Sequence, residues 1–247
     1  MTFPFHGTAS LSAALFADTT LRPTLATLLT AASRAEAEME VYYSRLIVAS
    51  SSSTPSPLAL FPYAASCRSL VRLELALLAA LGAAPLSAVA FLGSSALPLS
   101  ALLLAQSLPS SGHVLNVDND ATALAQGERL ALALGIACLA GPSRLAFLRA
   151  DAAQLGATLL GGQDAVWLAA PVGPMAGDKM DVVRSVVDGM RVGAWLVVRS
   201  AVGLRRVVCA EVEVEAVVRA CEGKVRLAVE AHPSNEVINS VLVFQRI

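Results

Sequence analysis

The sequence predicts an α/β fold, an open and mostly parallel sheet preceded by a helical region. Three observations predict it. The first 83 residues read as helix and loop. From residue 87 onward, apolar runs of four to eight residues alternate with helical stretches, the period expected of βαβ units. The first of these runs, Ser87–Leu92, is apolar on both faces, as a buried parallel strand is.

Within the helical region, Leu21–Leu29 carries an apolar stripe, and Ala31–Ile47 is rich in helix formers with Glu36, Glu38 and Glu40 among them. Ser50–Pro57 is a low-complexity loop that cannot continue a helix. Phe61-Pro62-Tyr63 restarts order, and Cys67–Leu81 reads as a helix with Glu74 on an otherwise apolar stretch. Arg72 lies two residues from Glu74 and so faces another side of that helix. On pattern alone, Glu74 reads equally as part of a solvated face or as a functional carboxylate. The division is a helical lid domain over residues 1–83 and a ligand-binding domain over residues 84–247.

Strands are expected at Ser87–Leu92, His113–Val117, Leu145–Leu148, Ala165–Ala169, Ala194–Arg199, Val225–Glu230 and Ser240–Phe244. Seven strands with the last two adjacent in sequence suggest the Rossmann-type open sheet of class I methyltransferases, preceded by an all-α N-terminal domain. From Leu75 to Val117 there is no Asp, Glu, Lys or Arg, and Leu75–Leu92 is apolar enough to imitate a membrane span. Gly82 and Pro85 interrupt it, so it is read as the end of a helix followed by a buried strand.

The 247 residues hold 18 Lys and Arg against 19 Asp and Glu, a net charge of −1, with no basic patch for nucleic acid. No positive segment precedes an apolar core at the start, so a secretory signal is not expected. Cys67, Cys138, Cys209 and Cys221 lack paired-ligand spacing and read as four buried thiols of a cytoplasmic protein. His6, His113 and His232 are too scattered for a metal site. The expectation is a small-molecule substrate, no metal, no nucleic acid and no membrane, with homo-oligomerisation left open.

The chemistry is expected at the carboxyl ends of the strands. The first strand ends in Gly93-Ser94-Ser95-Ala96-Leu97-Pro98, a small-residue turn that lets backbone approach a ligand. The second ends in Asp118-Asn119-Asp120, where a carboxylate accepts hydrogen bonds from ribose hydroxyls. Asp151 follows the third, in place for an adenine amino group. Asp120 and Asp151 each have a plain alternative as a helix cap. No lysine follows the loop in the way a nucleoside triphosphate site requires.

Several segments resemble the nicotianamine synthase family. His232-Pro233-Ser234-Asn235-Glu236-Val237-Ile238-Asn239-Ser240-Val241 closely matches its HPTDEVINSV signature. Leu196–Gly203 resembles its LRSAHG segment, and Asp164–Gly173 its DVVFLAALVG strand. Ala35-Glu36, Glu40 and Tyr43 resemble AEGxxExHY, while Phe61-Pro62-Tyr63, Leu70 and Leu73-Glu74 resemble FPYYxNYxxLxxLE.

The resemblance implies transfer of the 3-amino-3-carboxypropyl arm of S-adenosylmethionine to an amine, releasing methylthioadenosine and giving nicotianamine or a related metal-chelating amino acid. It implies S-adenosylmethionine as substrate, held by Gly93, Ser94, Ser95, Leu97, Pro98, Asp118, Asn119, Asp151, Ala169 and Ala170. It implies Glu74 as the base, with Tyr63 beside it, and Glu40, Tyr43, Arg199, His232 and Asn239 around the acceptor. There are departures. The family's Asn and Tyr after FPYY fall at Ser66 and Cys67, its GSGPLP loop is GSSALP, and its LRSAHG histidine is Val202. These leave the acceptor open, and with it three other readings: a cyclase forming azetidine-2-carboxylate, an ordinary methyltransferase, or a non-catalytic nucleoside-binding paralogue.

Overall fold

A computed structural model describes residues 8–83, 85–136, 144–169, 176–234 and 237–247. His6, Cys138, Ala170, the segment 171–173 and the pair Asn235 and Glu236 lie outside the described residues.

The helical region begins with α1 (Thr8–Ala17), followed by α2 (Arg22–Ser50) and α3 (Ala64–Ala80). The two helical stretches read separately in the sequence form one helix, α2, which opens on Pro23 in its first turn and ends at the serine run. α3 stops where expected, with Gly82 at φ +78° just beyond it. The apolar stretch that imitates a membrane span is thus a helix end, a turn and a strand. No described helix is long and apolar enough to cross a membrane.

The sheet comprises β1 (Ala88–Leu92), β2 (His113–Asp118), β3 (Leu145–Arg149), β4 (Ala165–Leu168), β5 (Trp195–Ser200), β6 (Val225–Ala231) and β7 (Ser240–Arg246). Its order is β3-β2-β1-β4-β5-β7-β6, parallel except for β7, which runs antiparallel to both neighbours. This is the seven-stranded arrangement of class I methyltransferases. Between the strands lie α4 (Leu99–Ser107), α5 (Ala121–Ala133), α6 (Ala157–Leu160), α7 (Ala176–Gly189) and α8 (Val214–Ala220).

β1, β4 and β5 are buried along their whole length, because helices cover both faces of the sheet. Alternate residues feed two cores. Val89, Phe91, Trp167, Val197 and Val243 face one side, and Ala90, Leu92, Val166, Leu168, Leu196 and Phe244 face the other with α7 and α8. The first core also contains Ile47 of α2 and Leu70 and Leu78 of α3. The helical region therefore shares a core with the sheet. α1 lies against the turn Gly203–Val207, where the Arg206 guanidinium sits 4.0 Å from the centre of the Phe16 ring.

Candidate active site

β1 and β4 lie side by side at the centre, and the strand order reverses between them, so a crevice opens beyond their carboxyl ends. A cavity of about 650 Å³ occupies it, a size suited to a small-molecule ligand. α2 forms one wall through Ser33, Glu36, Ala37, Glu40 and Val41.

The turn after β1 forms the floor. Gly93 has φ +80° and Ser95 φ +59°, the left-handed region that glycine enters without strain. The family glycine at position 95 is thus replaced by serine with a glycine-like backbone retained. The N–H groups of Gly93 and Ser94 donate to the Val117 carbonyl at 2.9 and 3.2 Å. The Ser95 N–H donates to Asp118 Oδ2 at 2.8 Å. Gly127 of α5 lets the helix approach this turn: a Cβ there would lie 3.2 Å from the Pro98 ring and from the Ser95 carbonyl oxygen.

Carboxyl groups dominate the lining. Glu36, Glu40, Asp118, Asp120, Asp151 and Asp181 line the cavity, against Arg199 as the cation among the lining residues. Asp120 caps α5, accepting from the Thr122 and Ala123 N–H groups at 2.7 and 3.2 Å. Asp151 caps the turn Ala152–Gln154, accepting from Ala153 at 2.9 Å. The capping alternatives for both thus hold, yet both residues also face the cavity. Asp118 Oδ1 accepts from the Asp120 N–H at 3.0 Å. The buried Ser94 hydroxyl has no protein partner among the described residues.

Glu40 is half-buried as a residue, but its carboxyl end sits among protein atoms. That desolvation pushes it up to about 8, with Glu36 and Asp118 adding to the rise and the Ser95 hydroxyl and Arg199 opposing it. The Ser95 hydroxyl donates to Glu40 Oε2. Burial also pushes the Cys67 thiol up, to about 11, so it is a neutral thiol rather than a nucleophile.

Glu74 departs from its expected place. It is fully buried and does not line the cavity. Arg199 donates from Nε to Oε1 at 2.8 Å and from Nη2 to Oε2 at 3.1 Å, and Trp167 Nε1 donates to Oε2 at 3.1 Å. The partner expected to be a substrate amine is therefore Arg199 of β5, beside Phe91, whose ring centre lies 5.3 Å from the guanidinium. A carboxylate engaged by three donors is poorly placed to take a proton from a ligand.

Of the other residues expected at the site, Glu40, Gly93, Ser94, Ser95, Pro98, Asp118, Asn119, Asp151, Ala169, Arg199 and Asn239 line the cavity. Leu97 is buried in the core behind the turn. Tyr63 is exposed and Tyr43 half-buried, and both belong to an edge-to-face group with Phe61 outside the cavity. His232 also lies away from it, held by Ser240 Oγ at 2.9 Å and Glu230 at 3.1 Å. The thiols are less buried than expected: Cys67 and Cys209 are half-buried, and only Cys221 among the described three is buried.

Residues that the sequence reading did not assign to the site include Glu36, Asp181 and Cys209, whose Sγ accepts from Asn239 Nδ2 at 3.2 Å. Lys179 is buried close to Cys209, and desolvation lowers it to about 8. Among the described residues, no group of three His, Cys, Asp or Glu side chains is placed to hold a metal ion.

Comparison with known proteins places these features. The family model for nicotianamine synthase protein matches residues 10–247. Nicotianamine synthase 1 of Oryza sativa subsp. indica is 42% identical over 105 residues, 42% of this chain and 30% of the relative. Nicotianamine synthase 3 of Oryza sativa subsp. japonica is 38% identical over 214 residues, 86% of this chain and 60% of the relative. The matched stretches thus span less than two thirds of these relatives. The crystal structure of MtNAS in complex with MTA and tNA superposes with a TM-score of 0.77 at 18% identity, covering 97% of this chain and 81% of that one. Magnesium protoporphyrin IX methyltransferase from Synechocystis PCC 6803 with bound SAM gives 0.56 at 18% identity, covering 74% and 81%. These likenesses are of fold; the family match rests on sequence. Across nearly its whole described length, this chain belongs to the nicotianamine synthase family.

Proposed function

We propose that the cavity binds S-adenosylmethionine and that the protein transfers its 3-amino-3-carboxypropyl group to an amine, giving nicotianamine or a related amino acid. The observation that carries this reading is Asp118, which ends β2, faces the cavity and is fixed by N–H groups of the Gly93–Ser95 turn and of Asp120. That is where a nucleoside ribose is held in sheets of this class. Asp151 stands at the adjoining strand end for the adenine edge. The Ser94 hydroxyl is free to meet a polar group of the ligand.

The reaction is a displacement at carbon. The amine nitrogen forms a bond to the γ-carbon, the carbon–sulfur bond breaks, and its electron pair neutralises the sulfonium as methylthioadenosine leaves. Rate comes from holding nucleophile, carbon and sulfur in line. The ring of carboxyl groups favours the cationic sulfonium and ammonium over anionic ligands. In this reading Glu74 orients Arg199, and the helical region closes the site through α2. Incubation with S-adenosylmethionine alone, followed by mass spectrometry, tests the reading. Methylthioadenosine with an aminocarboxypropyl product supports it. Azetidine-2-carboxylate as the sole product indicates a cyclase, and adenosylhomocysteine an ordinary methyltransferase.

A further inference from the structure

We propose that Trp167 is a positioning residue: through Glu74 it fixes Arg199 so that the cavity-side edge of the guanidinium receives the carboxylate of the aminocarboxypropyl arm. This rests on the S-adenosylmethionine reading above.

The arrangement is built on one face of the sheet. Trp167 of β4 lies in register with Phe91 of β1 and Val197 of β5. Arg199 stands two residues beyond Val197 and so shares that face. Its guanidinium lies 5.3 Å from the centre of the Phe91 ring, which supports one flat side. Glu74, arriving from α3, takes Nε and Nη2. Among the described residues Nη1 has no hydrogen bond, and Arg199 lines the cavity. A glutamate reaching in from a helix has several soft torsions, so the pair alone can swing. The indole N–H of Trp167 donates to Glu74 Oε2 at 3.1 Å from a wholly buried ring on a central strand. That third donor fixes the carboxylate plane and, through the paired bonds, the guanidinium plane. The family segment matched by Asp164–Gly173 has Phe at this position, which carries no donor, so the contact comes with the tryptophan.

The chemistry of the ligand calls for such an anchor. The arm of S-adenosylmethionine ends in an ammonium and a carboxylate. The carboxyl groups that line the cavity attract the first and repel the second. Arg199 is the cation among the lining residues, and a guanidinium edge suits a carboxylate in both charge and shape. Phe91, beneath the guanidinium, lies two residues before Gly93, so the anchor sits next to the turn that ends β1. With the ribose at Asp118 and the carboxylate at Arg199, the arm is held at both ends and its γ-carbon has one place to lie.

The test is calorimetry on the full chain with S-adenosylmethionine, its decarboxylated analogue and methylthioadenosine. The wild type should bind S-adenosylmethionine more tightly than the decarboxylated analogue, although the analogue carries more positive charge. Trp167→Phe should narrow that preference by about fivefold, the worth of one hydrogen bond, with the affinity for methylthioadenosine kept. Phe also leaves a void, so a second variant replaces the Trp167 indole by benzothiophene, which keeps the shape and lacks the N–H. It should narrow the preference equally. A preference restored by benzothiophene, or an equal loss for all the probes, assigns Trp167 to packing alone and overturns the proposal. An unmoved preference in both variants, or a wild type that does not favour the carboxylate-bearing probe, overturns it while leaving the cavity's ligand intact. If the wild type binds neither S-adenosylmethionine nor methylthioadenosine, the reading of the cavity is wrong and the anchor falls with it.

Discussion

Arg199 and Glu74 are 125 residues apart in sequence and meet through two hydrogen bonds, one guanidinium nitrogen to each carboxylate oxygen. Glu74 is fully buried and Arg199 nearly so, at the edge of the cavity, so a broken pair leaves a charge with little water to fall back on. Removing one partner of such a pair leaves the other unpaired in the interior, which costs about 3–5 kcal/mol. Arg199→Met should lower the unfolding free energy by that amount in denaturant titration. Adding Glu74→Leu should recover part of the loss. Strict additivity of the two single changes would show that the pair is not coupled.

Asp118→Ala removes a carboxylate that both faces the cavity and fixes the turn after β1. A charge-assisted hydrogen bond to a buried group is worth about 1.5–3 kcal/mol. Calorimetry should therefore show S-adenosylmethionine binding weakened by roughly ten- to a hundredfold. Unchanged affinity would take Asp118 out of the ligand site.

Leu78 tests whether the helical region is separable. It is 1% exposed and lies in the core that contains Phe91 and Trp167. Leu78→Ala should destabilise by about 2–5 kcal/mol. The whole chain should lose stability together, so Trp fluorescence and far-ultraviolet circular dichroism should report one coincident transition. An early helical transition, with the tryptophan signal unmoved, would mark an independent domain.

Glu40 also carries a stability signature. Its carboxyl is raised from 4.5 to about 8 in the folded protein. Between those values the folded state holds a proton that the unfolded chain has released, so stability falls as pH rises. It is fully present below about 4.5 and lost by the time pH has passed about 8. The slope from this group is at most about 1.4 kcal/mol per pH unit. Glu40→Gln should flatten the decline of the denaturant midpoint between pH 5 and pH 8.5. An identical slope in both proteins would show that the carboxyl is not raised.

The strands were legible because a buried parallel strand tends to be a short apolar run, and Ala88–Leu92, Ala165–Leu168 and residues 195–198 of β5 are such runs. The acidic residues at the ends of β2 and β3 were legible for a related reason: an apolar run that stops at Asp118 or Asp151 marks a strand end. The partner of Glu74 was not legible. Local spacing weighs Arg72, on the same helix, and holds nothing about which side chain of a distant strand will arrive. The fates of Tyr63, Tyr43 and His232 depend likewise on packing between elements far apart in sequence. The contact of Ser95 with Glu40 joins the turn after β1 to α2 across 55 residues, and the sequence showed only that a glycine had been replaced.

The ring of carboxyl groups around the cavity has a consequence for traffic. A field of this sign draws cations inward and slows anions, and it weakens as salt rises. In the proposed reaction the adenosine-bearing molecule arrives with a positive sulfur and departs uncharged. The same carboxyl groups that hold the incoming ligand therefore lose their hold on the thioether once the bond to sulfur breaks. Turnover of this kind discharges its own leaving molecule. The affinity gap between cationic substrate and neutral by-product should narrow as ionic strength increases.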